Sequence, residues 1–190
     1  MPTGMTRTII LSAVLSFTLL CASIAWSAEF TAVVDINQNG ALTSGTAYVK
    51  DGNVRYELMT GAGGQVIIYR ADFGAQWTIF PQLEAYDEEW DSDDDDFVVP
   101  EINPRLIEIA TDESLGTETV GGLSCDIHYY RYDDPARGTL TVWRAREIDY
   151  PVKIELKTRD YYLTKEYRNI RTARLDDSLF ELPKGYKMLK

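Results

Sequence analysis

The chain has 190 residues, 45% of them hydrophobic, and carries 30 acidic against 19 basic side chains for a formal net charge of −11. An acidic balance of that size repels nucleic-acid phosphates and anionic membrane surfaces, which excludes a nucleic-acid binder and stable peripheral attachment to a membrane through a basic face. With one His and two Cys, zinc sites of the usual kind cannot be assembled within one chain.

The first 27 residues read as an export signal. Arg7 supplies the positive n-region, residues 9–24 form an apolar run with small residues mixed in, and Ala25-Trp26-Ser27 precedes Ala28. Cleavage after Ser27 is favoured over cleavage after Ala28, which would put bulky Trp26 where a small residue is preferred. The alternative is an uncleaved anchor. Cys21 follows Leu19 and Leu20, which argues against a lipoprotein signal, so it reads as one more apolar member of the run. Removal of the signal takes Arg7 with it, moves the charge from −11 to −12, and leaves Cys125 as the sole thiol. The expected product is a periplasmic or secreted single domain over residues 28–190, long enough to build a core without metal or disulfide.

From residue 28 onward apolar and polar residues alternate, the period of half-buried strands. Phe30, Ala32, Val34 and Ile36 share one face; Asn39-Gly40 marks a turn; Asp51-Gly52 joins two alternating runs as a hairpin signal. Residues 61–64 make another reversal, and residues 65–70 and 76–80 are further strands. Pro81 ends the last of these. Residues 84–96 then hold nine acidic residues together with Tyr86 and Trp90, so residues 84–101 are expected to be an acidic loop insertion.

Asn103 as N-cap and Pro104 at the first helical position predict a short amphipathic helix over residues 103–111, with Leu106, Ile107, Ile109 and Ala110 on one side. Five more strands follow, over residues 117–120, 124–132, 139–147, 152–157 and 161–171. About ten short antiparallel strands separated by Gly, Pro and Asp turns suggest a barrel or a strongly curved sheet. At the end, Asp176 or Asp177 can cap a turn whose Leu179, Phe180 and Leu182 point back at the sheet.

Catalytic and metal constellations are each outweighed. Cys125 and His128 stand three apart on a strand and leave opposite faces, so they do not form a thiol–imidazole dyad. Cys125 reads as a small buried hydrophobe. The run Asp91-Ser92-Asp93-Asp94-Asp95-Asp96 departs from a calcium loop, having Asp96 where glycine should turn the chain and Ile102 where the bidentate Glu belongs. It reads as a solvated loop. Gly61 and its neighbours precede a strand where a phosphate-binding helix would be needed. No catalytic residue, metal ligand or cofactor is therefore assigned. Twelve tyrosines and four tryptophans suit the lining of a site apolar at one end and wet at the other. Trp77, Phe80, Tyr86, Trp90, Tyr129, Trp143, Tyr161 and Phe180 are the candidates; ordinary strand preference for aromatics is the competing explanation.

Several pieces occur in a telling order: the hairpin around Asp51-Gly52-Asn53, Trp77-Thr78-Ile79-Phe80-Pro81, Gly121-Gly122-Leu123-Ser124-Cys125, Trp143, Pro151-Val152-Lys153 and Tyr167-Arg168-Asn169-Ile170. They close on Asp177-Ser178-Leu179-Phe180-Glu181-Leu182-Pro183-Lys184-Gly185-Tyr186. Together they resemble the LolA-like superfamily, the fold of outer-membrane lipoprotein carriers, and within it an uncharacterised secreted family with that ending. The resemblance implies a mainly β (α+β) protein: a strongly curved antiparallel sheet forming an incomplete barrel around an apolar cavity, with a short lid helix bearing Leu106, Ile107 and Ile109, and a C-terminal capped turn. It implies an acylated ligand or lipoprotein as partner, since an acyl chain costs on the order of 10 kcal/mol to leave in water. The cargo-gating arginine of the carriers maps to no position here. The alternative is a non-catalytic interaction or sensing module that engages an envelope protein through the acidic loop, with a hydrolase placed last.

Overall fold

A computed structural model describes residues 28–61, 63–90 and 107–189. The signal, the aspartate run and the Asn103-Pro104 helix start lie outside the described residues, as does Leu106.

The strands are β1 (Glu29–Gln38), β2 (Ala41–Lys50), β3 (Asn53–Thr60), β4 (Gly63–Arg70), β5 (Ala75–Phe80) and β6 (Ala85–Trp90). Then follow β7 (Ala110–Val120), β8 (Leu123–Tyr132), β9 (Thr139–Ala145), β10 (Tyr150–Lys157), β11 (Tyr162–Thr172) and the two-residue β12 (Lys187–Met188). They form one sheet in the order β12-β6-β5-β4-β3-β2-β1-β11-β10-β9-β8-β7. Every pairing is antiparallel except β12 on β6. The sheet stays open, with β12 and β7 at its two ends.

Turn chemistry sets the register. Asn39 and Gly40 have φ of 51° and 89°, and Asp51 and Gly52 of 52° and 81°. Two successive positive values match the right-handed twist of flanking strands in a tight hairpin. Bulges between Thr31 and Val33, between Pro151 and Lys153, and between Ser114 and Gly116 interrupt the ladders, and bulges sharpen local twist and bend.

The direction of the bend follows from one contact. Tyr56 on β3 and Tyr167 on β11 are three strand spacings apart, about 14 Å on a flat sheet. Yet their rings lie 6.5 Å apart and their hydroxyls 2.6 Å apart. The sheet therefore curls toward this face, which becomes the inner one. Phe30, Val34, Val49, Val54, Tyr56, Leu58 and Tyr167 fill its centre, with Phe30 meeting Tyr150 and Tyr167 edge to face. Tyr130, Tyr132, Leu140, Val142 and Ile154 continue it toward β8. This is the incomplete barrel expected from the sequence.

The outer face is covered on the β2–β6 side by residues 173–189. Leu175 and Phe180 pack there on Ile68, Trp77 and Ile79, with Leu179, Leu182 and Tyr186 at the margin. Three cations of the outer face each donate to a carbonyl of this tail: Lys50 to Leu175, Arg55 to Leu179 and Arg70 to Phe180. Lys50 also pairs with Asp177 at 2.5 Å and Arg70 with Glu181 at 2.8 Å. Asp176 caps the turn by accepting from the Ser178 amide, and hydrogen bonding from Ser178 holds its carboxyl below the ordinary carboxylate range.

Two expectations change. Six residues of the acidic stretch, Ala85–Trp90, are strand and not loop, because each finds a partner on β5. Ala110 and Thr111 are not helical; they pair with Tyr132 and Arg131 at the start of β7, which is an 11-residue strand where the sequence predicts only residues 117–120. Ile107 and Glu108 keep helical conformation.

Candidate ligand-binding surface

The eight aromatics proposed as one lining are divided between the two faces. Trp77, Tyr86 and Phe180 do come together, but on the outer face beneath the tail, where Trp77 Nε1 donates to Glu88 at 2.8 Å. Trp90 pairs with Ala75 on the same face and is exposed. Tyr129 and Trp143 also face outward, half-buried. Trp143 lies under the Lys153 ammonium at 4.4 Å and donates to Glu118 at 2.7 Å. Phe80 faces inward, one residue after Ile79. Tyr161 sits in the β10–β11 turn, where burial raises its hydroxyl pKa. Of the lid positions, Ile107 packs against the inner cluster of Tyr130 and Leu140, and Ile109 is exposed.

The half-buried apolar residues of the inner face lie elsewhere, near the ends of β1, β5 and β10 and the start of β11. Ile36, Phe80, Leu156 and Leu163 are half-buried there, beside fully buried Leu140 and Ile154. Leu156 and Leu163 are cross-strand partners, and Ile36 and Leu156 flank Leu163 on the two neighbouring strands. Alternation places all four on the side of Val34 and Tyr167.

That surface has a charge set into its floor. Lys165 is 4% exposed, its ammonium donates to the Tyr56 hydroxyl at 3.2 Å and lies 5.2 Å from the Tyr56 ring. Burying an ammonium is costly unless it is hydrogen-bonded and electrostatically satisfied. The sequence hint is faint: a lysine at an inward position of an otherwise apolar alternation.

Cys125 is fully buried, and burial raises its thiol pKa. It pairs across to β9 with Ala145 while His128 pairs with Val142, so the two point to opposite faces. His128 Nδ1 lies 3.1 Å from Asp112 at the exposed sheet edge. Among the described residues no group of three or more His, Cys, Asp or Glu side chains could hold a metal ion, and no helix is long and apolar enough to cross a membrane.

No protein-family model matches the chain, and no curated protein matches it. Solved structures do. An uncharacterised conserved protein from Thermus thermophilus superposes with a TM-score of 0.59 and 9% identity, over 86% of this chain and 90% of that one. MucB in the MucA/MucB complex of Pseudomonas aeruginosa superposes with a TM-score of 0.55 and 16% identity, over 81% of this chain. The fold is shared with MucB. The chain spans just over half of MucB, 56% of its length. The LolA superfamily protein NE2245 from Nitrosomonas europaea is matched more loosely, with a TM-score of 0.42 and 13% identity over 82% of this chain and 90% of that one. The architecture expected from the sequence, an open and strongly curved antiparallel sheet, is the one present.

Proposed function

We propose that this chain is a non-catalytic binding protein of the bacterial envelope that holds the acyl part of a lipid or lipoprotein against the inner face of its curved sheet. The observation that carries this is the half-buried aliphatic side chains Ile36, Leu156 and Leu163 at one end of an apolar concave face. Each CH₂ of an acyl chain withdrawn from water there is worth about 0.8 kcal/mol. The export signal and the acidic balance fit an aqueous compartment of the envelope.

Leu163→Asp tests the surface directly, since it puts a carboxylate among the partners an acyl chain would touch. Binding of a fluorescent fatty-acid probe is expected to weaken at least ten-fold, while Asp51→Asn in the β2–β3 turn at the opposite end of the sheet leaves it unchanged. Equal effects of the two substitutions reject the inner face as the site.

A second reading, a protein-binding sensor module, draws on one finding: MucB has been solved in complex with MucA. On that reading the protein binds an envelope polypeptide, with the acidic segment 84–101 as the docking surface. A chain that binds no lipid probe and captures a basic polypeptide, with capture abolished by neutralising Asp87, Glu88 and Glu89, supports this reading over the first.

A further inference from the structure

The turn end of the sheet is electrically divided. On the β1–β6 half, residues 36–49, 58–69 and 73–83 contain no charged side chain, in a chain that is 26% charged overall, and Glu84, which closes the turn after β5, is the one charge at these hairpin ends. Those stretches supply the hairpin ends at Asn39-Gly40, at Gly61 and at Pro81–Leu83. On the other half, the turns at the same end contain Asp133, Asp134, Arg137, Arg159 and Asp160, and the turns at the opposite end of β2–β5 contain Asp51 and Asp72.

Three large apolar side chains stand on this sparsely charged rim: Leu42 is 76% exposed, Met59 74% and Leu83 63%. Leu42 pairs with Asn37 on β1 and Met59 with Gly64 on β4. Each is one residue out of phase with the inward positions Thr43 and Leu58, so both point to the outer side, while Leu83 ends the short turn after β5. None of the three buries its side chain within the fold. Single exposed apolar residues are ordinary, but three on the hairpin ends of one rim that carries a single charge, Glu84, make a common surface.

We propose that this rim is a reversible contact for an electrically neutral lipid surface. Charge decides the type of bilayer: the acidic body repels an anionic membrane, whereas a zwitterionic headgroup plane offers no net field and accepts Leu and Met side chains at its acyl boundary. Size decides against protein. Three side chains on separate turns fall well short of the roughly 1,200 Å² that stable protein interfaces bury. The rim lies at the same strand ends as Ile36, Phe80, Leu156 and Leu163, but the contact stands apart from the acyl-binding reading and requires no ligand on the inner face.

The test uses the full chain and vesicles of phosphatidylcholine, in co-sedimentation, against the triple variant Leu42→Asp/Met59→Asp/Leu83→Asp. The N-terminal apolar run is common to both proteins, so the difference reports the rim. The variant is expected to keep its thermal midpoint and to partition at least ten-fold more weakly, and adding phosphatidylglycerol to the vesicles should weaken binding of the unmodified chain. Brominated phosphatidylcholine should quench Met59→Trp more than Asp51→Trp at the opposite end. Absence of vesicle binding, equal partitioning of the two proteins, or equal quenching at the two positions overturns the proposal. So does an adventitious self-association, seen as a change in oligomeric state in the triple variant without a change in vesicle binding.

Discussion

Phe180 carries the C-terminal tail. It is 2% exposed and packs on Ile68, Trp77 and Ile79, so Phe180→Ala should cost about 3–5 kcal/mol through lost burial and the cavity left behind. Chemical denaturation would measure it; a loss below about 1 kcal/mol would mean the tail does not hold the outer face. Arg70 fastens the same residue by donating to its carbonyl, and Arg70 in turn is held by Asp72 at 2.7 Å. The Arg70 hydrogen bond keeps the Asp72 carboxyl below its usual pKa. A depressed carboxylate stabilises the fold at pH above its unfolded value of about 3.9, and that contribution disappears as pH falls toward its folded value. Thermal midpoints measured from neutral pH downward should therefore drop below about pH 4, and Asp72→Asn should flatten part of that drop. Individual residues are partly legible in the sequence. The burial of Cys125 and the packing of Leu179 and Phe180 against the sheet follow from alternation and capping, whereas the three carbonyl contacts of Lys50, Arg55 and Arg70 join positions more than a hundred residues apart and leave no local pattern.

At the scale of elements, the tail is a strap laid across β2–β6, and β12 completes it by pairing with β6 through Lys187 and Met188. Truncation after Thr172 should expose Ile68, Trp77 and Ile79 together. The expected result is a lower unfolding midpoint with increased binding of an apolar dye, and an unchanged midpoint would show that the strap is not part of the core. Strands are readable wherever alternation and turn signals coincide, as at Asp51-Gly52. Composition misleads elsewhere. Asp87, Glu88 and Glu89 look like solvated loop, yet on β6 Asp87 and Glu89 stand exposed on one side while Glu88, on the other, accepts from Trp77 Nε1. Likewise Ile109-Ala110 continues a helical pattern, but Ala110 and Thr111 pair with β8, and the backbone bonds of an extending ladder outweigh propensity over two residues. The aromatics show the same limit. A period of two already sets Trp77 and Phe80, three apart on one strand, on opposite faces; what it does not say is which of the two faces curls inward.

For the whole molecule, the two faces have different tasks. The outer one is closed by its own chain on the β2–β6 side; the inner one concentrates the aromatic core at its centre and leaves Ile36, Phe80, Leu156 and Leu163 half-buried toward one end. That asymmetry is what makes a held ligand physically reasonable, since the stable core is already built beside the open apolar surface. Native mass spectrometry of the protein purified from envelope extract is the direct test of a held acyl ligand. The expected spectrum holds a species heavier than the protein by the mass of an acylated molecule, lost on delipidation and absent from Leu163→Asp. The bare protein mass from the unmodified chain, with no rebinding of lipid after delipidation, would contradict it.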